Sequence, residues 1–166
     1  MRKIGIKDLL EVAYAIEKGG YEIFRDLAKQ HSRNSDLARV FERLASEEEQ
    51  HFMKIEQYEK KYFEHSVLLD DLFNMQVVKE YFREFSHANI MKNYRNFLKR
   101  QGKVRNELEA LKLGLALEMD SIIFYRKFIE INKGTPEVNA LLADLVGYEI
   151  GHMETLVHFV KNGVPQ

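Results

Sequence analysis

Two short motifs carry the chemistry of this chain, Glu48-Glu-Gln-His51 and Glu149-Ile-Gly-His152. Residues three apart share one face of a helix, so the glutamate and histidine of each motif can reach the same ion. Both motifs interrupt seams that are otherwise apolar. Leu37, Phe41, Leu44, Glu48, His51, Ile55 and Tyr58 follow a 4-3-4-3-4-3 spacing, and Val138, Leu142, Leu145, Glu149, His152, Leu156 and Phe159 repeat it. That is the stripe a helix turns towards its neighbours. Two more acids keep similar company: Glu17 stands between Leu10 and Phe24, and Glu118 between Leu111 and Tyr125.

The chain repeats itself. An ungapped shift of 101 residues puts Ala15 on Ala116, Glu17 on Glu118, Arg25 on Arg126, Leu44 on Leu145, Glu48 on Glu149 and His51 on His152. Few positions match, but they concentrate on residues that could do chemistry. The levels agree as well. The midpoint of Glu17 and Glu48 falls at Ser32–Arg33, and that of Glu118 and Glu149 at Lys133–Gly134, both in turn-like sequence. In an antiparallel hairpin, residues equidistant from the turn lie side by side. At about 1.5 Å per residue, each glutamate sits on the order of 23 Å from its turn, and both pairs share one depth.

Four carboxylates and two imidazoles cannot stay unpaired in apolar seams. An unpartnered buried carboxylate costs several kcal/mol or takes up a proton. No lysine or arginine falls on these seams at that level, whereas two divalent cations would balance four carboxylates. A single Glu-x-x-His on a charged helix reads as a solvated face. Two copies on core seams at equal depth read as a two-metal site. Oxygen and nitrogen donors without sulfur suit iron or manganese; zinc could occupy such a site, but the two-metal carboxylate arrangement points to redox chemistry. Glu47 and Glu49 read as surface, and His31, His65, His87 and His158, which follow no seam, as surface or loop histidines. Tyr14, Tyr21, Tyr125 and Tyr148 read as packing or hydrogen-bonding residues, with Tyr21, one turn from Glu17, a candidate to support it.

The elements that must position these residues are four helices, predicted at about 7–30, 36–63, 104–133 and 136–161. Ser35 reads as the N-cap of the second and Gly134 as the left-handed residue ending the third. Thr135-Pro136-Glu137 opens the fourth with an N-cap threonine, a proline at N1 and an acid in the first turn. Residues 64–103 carry Val67, Leu68, Leu69, Leu72, Phe73, Val77, Val78, Phe82, Phe85, Ile90 and Phe97. This segment reads as one or two shorter helices crossing the length of the bundle. Short, long and short connections give two helical hairpins joined by a crossover, an all-α four-helix bundle of the ferritin-like kind, with residues 1–166 as one domain.

Composition supports the helices and excludes much else. Of 166 residues, 45% are hydrophobic and 31% charged, with only two prolines and no tryptophan. The net charge of −1 offers no basic field for nucleic acid or an anionic membrane. The absence of cysteine removes disulfides, thiolate metal sites, iron–sulfur clusters and cysteine nucleophiles together. No apolar h-region follows Met1-Arg-Lys, and no stretch approaches the roughly 20 apolar residues of a membrane span. A cytoplasmic location is expected.

The pattern resembles the rubrerythrin branch of the ferritin-like di-iron proteins. The likeness rests on Glu17, Glu48-Glu-Gln-His51, Glu118 and Glu149-Ile-Gly-His152, with Gly20 and Phe24 after Glu17 and Leu44-Ala-Ser-Glu-Glu48 before the first histidine. It implies two iron ions, with manganese as the alternative. Glu48 and Glu149 would bridge them, Glu17 and Glu118 would be terminal ligands, and His51 and His152 would take one metal each. It also implies an oxidoreductase reducing hydrogen peroxide or oxygen, with a non-cage iron-binding ferroxidase as the second reading.

Two departures bear on function. Rubrerythrins carry a cysteine-ligated rubredoxin-type iron domain; without cysteine, this chain needs an external donor such as a rubredoxin-like protein. They also carry an extra glutamate one turn after the third-helix ligand, where this chain has Ser121. Bacterioferritin shares both Glu-x-x-His motifs, but its haem-binding methionine is here Glu49, and no fifth helix follows. A metal-free helical interaction module would leave six ionisable seam residues without a purpose. The apolar excess of 64–103 leads us to expect a homodimer.

Overall fold

A computed structural model describes residues 6–62, 104, 106–131 and 136–163. Its four helices are α1 (Ile6–Gln30), α2 (Ser35–Tyr62), α3 (Glu107–Ile131) and α4 (Pro136–Asn162). The predicted crossover, 64–103, lies outside the described residues, as do Gly134 and Thr135.

The start of α2 differs from expectation by one residue. Asn34, not Ser35, is the cap: its Oδ1 accepts the N–H groups of Asp36 and Leu37 at 3.2 and 3.1 Å. Its carbonyl accepts from Ala38, closing the first turn. One side-chain oxygen thus satisfies two amides that the helix leaves without partners. Helix α3 begins later than expected because Asn106 caps it, accepting from Glu109 N–H at 2.9 Å. Val104 instead donates its N–H to Gln30 Oε1 at 2.9 Å. Helix α4 ends at Gly163, whose φ of 74° is the left-handed conformation of a helix stop.

Helix α1 packs along α2 and α3 along α4, with further contacts of α1 on α3 and α2 on α4. Asn34, in the first turn, donates to Glu107 Oε1 at 2.8 Å, so α3 starts where α1 stops. It therefore runs parallel to α2. Helices α2 and α3 end and begin at opposite ends of the bundle, which makes their connection a crossover, as the ferritin-like topology requires.

Two apolar layers fill the interior. One, around Phe24, Leu27, Leu37, Phe41, Leu44 and Leu111, lies at the Asn34 end. The other, around Leu10, Ile55, Phe124, Phe128, Leu142 and Leu145, fills the far end. Both predicted seams are buried at every position except Tyr58 and Phe159, which are half-buried. Burial of such side chains is worth about 1.5–3 kcal/mol each, enough to hold a polar layer between them. Among the described residues, no helix is long and apolar enough to cross a membrane.

Candidate metal centre

All six sequence-predicted ligands lie in that polar layer: Glu17, Glu48, His51, Glu118, Glu149 and His152 are each no more than 4% exposed. The structure gathers them into two overlapping sets. Glu17, Glu48, His51 and Glu149 have donor atoms within 4.8 Å of one another, and so do Glu48, Glu118, Glu149 and His152. Glu48 and Glu149 belong to both. One helix from each hairpin supplies a shared carboxylate and a histidine, and the other supplies a carboxylate of one set.

Both imidazoles point Nδ1 inward. His51 Nδ1 lies 3.0 Å from Glu17 Oε2 and 3.5 Å from Glu48 Oε2. His152 Nδ1 lies 3.3, 3.4 and 3.2 Å from oxygens of Glu48, Glu118 and Glu149. The two rings stack with centroids 5.3 Å apart. Tyr125 reaches across from α3 and donates its hydroxyl to Glu17 Oε1. Gly20, one turn past Glu17, gives Glu48 its room: a Cβ there would stand 3.1 Å from Glu48 Cδ and 3.2 Å from Oε1.

The crowding of acids shifts their protonation. Burial, and then the charges of Glu17 and Glu118, push Glu48 up to about 8. Glu149 is raised well above its usual range by burial and by Glu48 and Glu118. Burial works against charging His51, but hydrogen bonds to Glu17 and Glu48 prevail and lift it to about 9. His152 rises to about 11, since Glu118 and Glu48 outweigh its burial. Glu17 alone among them is lowered: burial opposes its charge, and hydrogen bonds from His51, Glu48 and Tyr125 overcome it. Without metal, the cluster balances its charge with retained protons.

The donors fit a pair of cations. Glu118 Oε1, Glu149 Oε2 and His152 Nδ1 are buried and make no hydrogen bond. They face one another at 3.2–3.4 Å, but buried polar atoms left without hydrogen bonds are costly, and a divalent ion held by carboxylate and imidazole is a partner their chemistry suits.

Other residues fall differently from expectation. Tyr21 does not support Glu17: its hydroxyl accepts from Arg25 at 3.0 Å and its ring meets Phe52 edge-on. Ser121 is buried, but its Oγ donates back to the carbonyl of Leu117 at 3.1 Å. His31 lies in the turn after α1, half-buried against Phe41, and His158 is exposed as expected; His65 and His87 lie outside the described residues. Glu11, Glu59 and Asp120 are buried acids that the seams do not predict, and they belong to neither ligand set.

Two flanking residues also escape the seam pattern. Glu47 Oε2 lies 3.0 Å from His152 Nε2, and the Tyr148 ring stacks on His51 with centroids 4.7 Å apart. The 101-residue shift pairs Glu47 with Tyr148, a signal that each immediately precedes a shared carboxylate.

A four-helix bundle with a buried carboxylate–histidine cluster between its hairpins is a ferritin-like architecture of the di-metal kind. The family model described as Rubrerythrin matches residues 8–160, nearly the whole chain. The chain belongs to the rubrerythrin family. No curated protein and no solved structure matches it at a significant level.

Proposed function

We propose that the cluster holds two iron ions and that the chain is a di-iron oxidoreductase, reducing hydrogen peroxide or oxygen with electrons from an external donor such as a rubredoxin-like protein. One observation carries this reading: Glu48 and Glu149 belong to both ligand sets. Shared carboxylates are what let two ions approach to about 3.5–4 Å, the spacing of two-metal sites. An iron pair, when bound, supplies the two-electron redox change that peroxide reduction needs.

The chain's residues provide the setting. Glu17 and His51 would complete one half, Glu118 and His152 the other. Tyr125 holds Glu17 in place, and the two apolar layers keep bulk water from the polar layer. Reduction of hydrogen peroxide consumes two electrons and two protons and yields two waters. Having no cysteine, the chain has no thiolate redox centre of its own to supply those electrons. The proposal extends to a cytoplasmic homodimer, and a monomeric mass in sedimentation at micromolar concentration would remove the dimer from it.

Ser121 favours a second reading, a non-cage ferroxidase. Its hydroxyl is turned to its own helix, so no additional carboxylate stands at that position. Stopped-flow oxidation of the iron-loaded chain, followed by iron counting, separates the two. The oxidoreductase turns over peroxide only when a rubredoxin-like or flavin-based donor is present and keeps its iron. Continued uptake of ferrous iron beyond two per chain, without donor-dependent peroxide consumption, would reverse the preference. Anomalous diffraction at the iron and manganese edges, on protein from its native cell, identifies the metal.

A further inference from the structure

The two halves of the cluster are related by the sequence repeat, yet their surroundings are not alike. On the His152 side, the outer ring nitrogen meets a carboxylate, with Nε2 lying 3.0 Å from Glu47 Oε2. Glu47 is itself braced by Arg43, whose Nε donates to Oε1 at 2.8 Å. With Nε2–H directed at Glu47, loss of the Nδ1 proton to an incoming ion leaves the Nδ1 lone pair facing Glu48, Glu118 and Glu149. A carboxylate behind a ligating histidine fixes its tautomer and ring orientation and raises its basicity.

On the His51 side, the equivalent position is Tyr148. It presents a ring face, stacked on the imidazole at an interplanar angle of 15°. Its hydroxyl is turned away to accept from Lys54 Nζ at 3.0 Å. Packing orients His51 on this face, and among the described residues no carboxylate takes the place of Glu47.

A second, independent asymmetry points the same way. Of the buried cluster atoms without hydrogen bonds, Glu149 Oε2 is common to both sets, while Glu118 Oε1 and His152 Nδ1 belong to the His152 set alone. In the other set, both oxygens of Glu17 are engaged, one by His51 and one by Tyr125. An ion entering there must disturb bonds already made. An ion entering the His152 half meets Glu118 Oε1 and His152 Nδ1, which face each other at 3.4 Å without a hydrogen bond.

We propose that the two metal positions fill in order, the Glu118–His152 half first, and that Glu47 is the positioning residue that establishes this order. The inference rests on the two-metal reading. The test uses the full metal-free chain, with zinc as a diamagnetic probe, and follows the imidazole ring resonances of His51 and His152 by NMR. In the wild-type chain, the His152 signals should complete their shift within the first equivalent and those of His51 in the second. Glu47→Gln, a change on a half-exposed side chain, should abolish the order and weaken the first step by about 10- to 100-fold. Glu47→Asp should restore part of the order, and Tyr148→Phe, which keeps the stack, should leave the order intact. Simultaneous filling, His51 first, or an unchanged order and affinity in Glu47→Gln would overturn the proposal while leaving the two-metal site standing. If neither histidine responds to zinc, the two-metal reading itself fails.

Discussion

The hydroxyl of Tyr125 on α3 donates a hydrogen bond to Glu17 on α1, joining the two hairpins at the level of the cluster. Burial raises the Tyr125 hydroxyl well above its usual range, with the charge of Glu17 adding to it, so it remains a donor. The same bond helps keep Glu17 ionised. Tyr125→Phe preserves the ring in its apolar setting and removes only this donor. Hydrogen bonds to charged groups are worth about 1.5–3 kcal/mol, and a loss of that size is expected for the metal-free chain. Urea unfolding checks it, with an unchanged m-value showing that the effect is on stability. A difference below about 0.5 kcal/mol would mean the hydroxyl does not hold Glu17.

The adjacent glycines of α1 make a matched pair. A Cβ on Gly19 meets nothing within 4 Å, whereas one on Gly20 would press on Glu48. Alanine gains about 0.8–1 kcal/mol over glycine within a helix. Gly19→Ala should therefore stabilise the chain and leave metal affinity alone. Gly20→Ala should weaken metal binding at both positions, since it displaces a shared carboxylate. Equal metal affinities in the two variants would show that Glu48 moves aside freely.

Much of this was legible in the sequence because burial and chemistry share one period. Leu44, Glu48, His51 and Ile55 occupy one stripe, and the stripe dictates what the helix buries. Within each hairpin, the pairing of Glu17 with Glu48 and of Glu118 with Glu149 followed from the turn positions alone. Residues beside the stripe were less legible. Glu47 is four residues after Arg43 and looks like half of a surface ion pair, which it is. Its second oxygen reaches a histidine on another hairpin, a contact no local period encodes. Asn34 displaced Ser35 as the cap because either side chain could serve, and only the path of the turn decides which reaches the free amides.

Protonation gives the metal-free chain a distinctive pH dependence. Glu48 moves from 4.5 unfolded to about 8 folded, His51 from 6.5 to about 9 and His152 from 6.5 to about 11. Each folded value is raised, so each contribution is fully present below the unfolded value and lost as pH rises through the folded one. Between pH 5 and 9, the folded chain thus binds more protons than the unfolded, and stability falls as pH rises. The lowering of Glu17 has the opposite sign, but acts below 4.5, outside that window. Bound metal replaces these protons, so metal stabilises more as pH increases. Thermal melts across this range should show the metal-free midpoint declining and the gap to the loaded form widening. A flat or rising metal-free midpoint would contradict the assigned protonation.

The shared and unshared ligands should also separate in metal titrations. Glu48 and Glu149 lie in both sets, while His51 and His152 each lie in one. If the shared acids bridge, Glu48→Ala or Glu149→Ala must weaken both ions, because each loses a ligand from a single substitution. His51→Ala should chiefly weaken one. All three variants vacate space between the apolar layers, so folding is checked first by circular dichroism. Anaerobic titration with ferrous iron then gives the stepwise affinities. A Glu48→Ala chain that loses one ion and binds the other with wild-type affinity would show that the carboxylate serves a single metal.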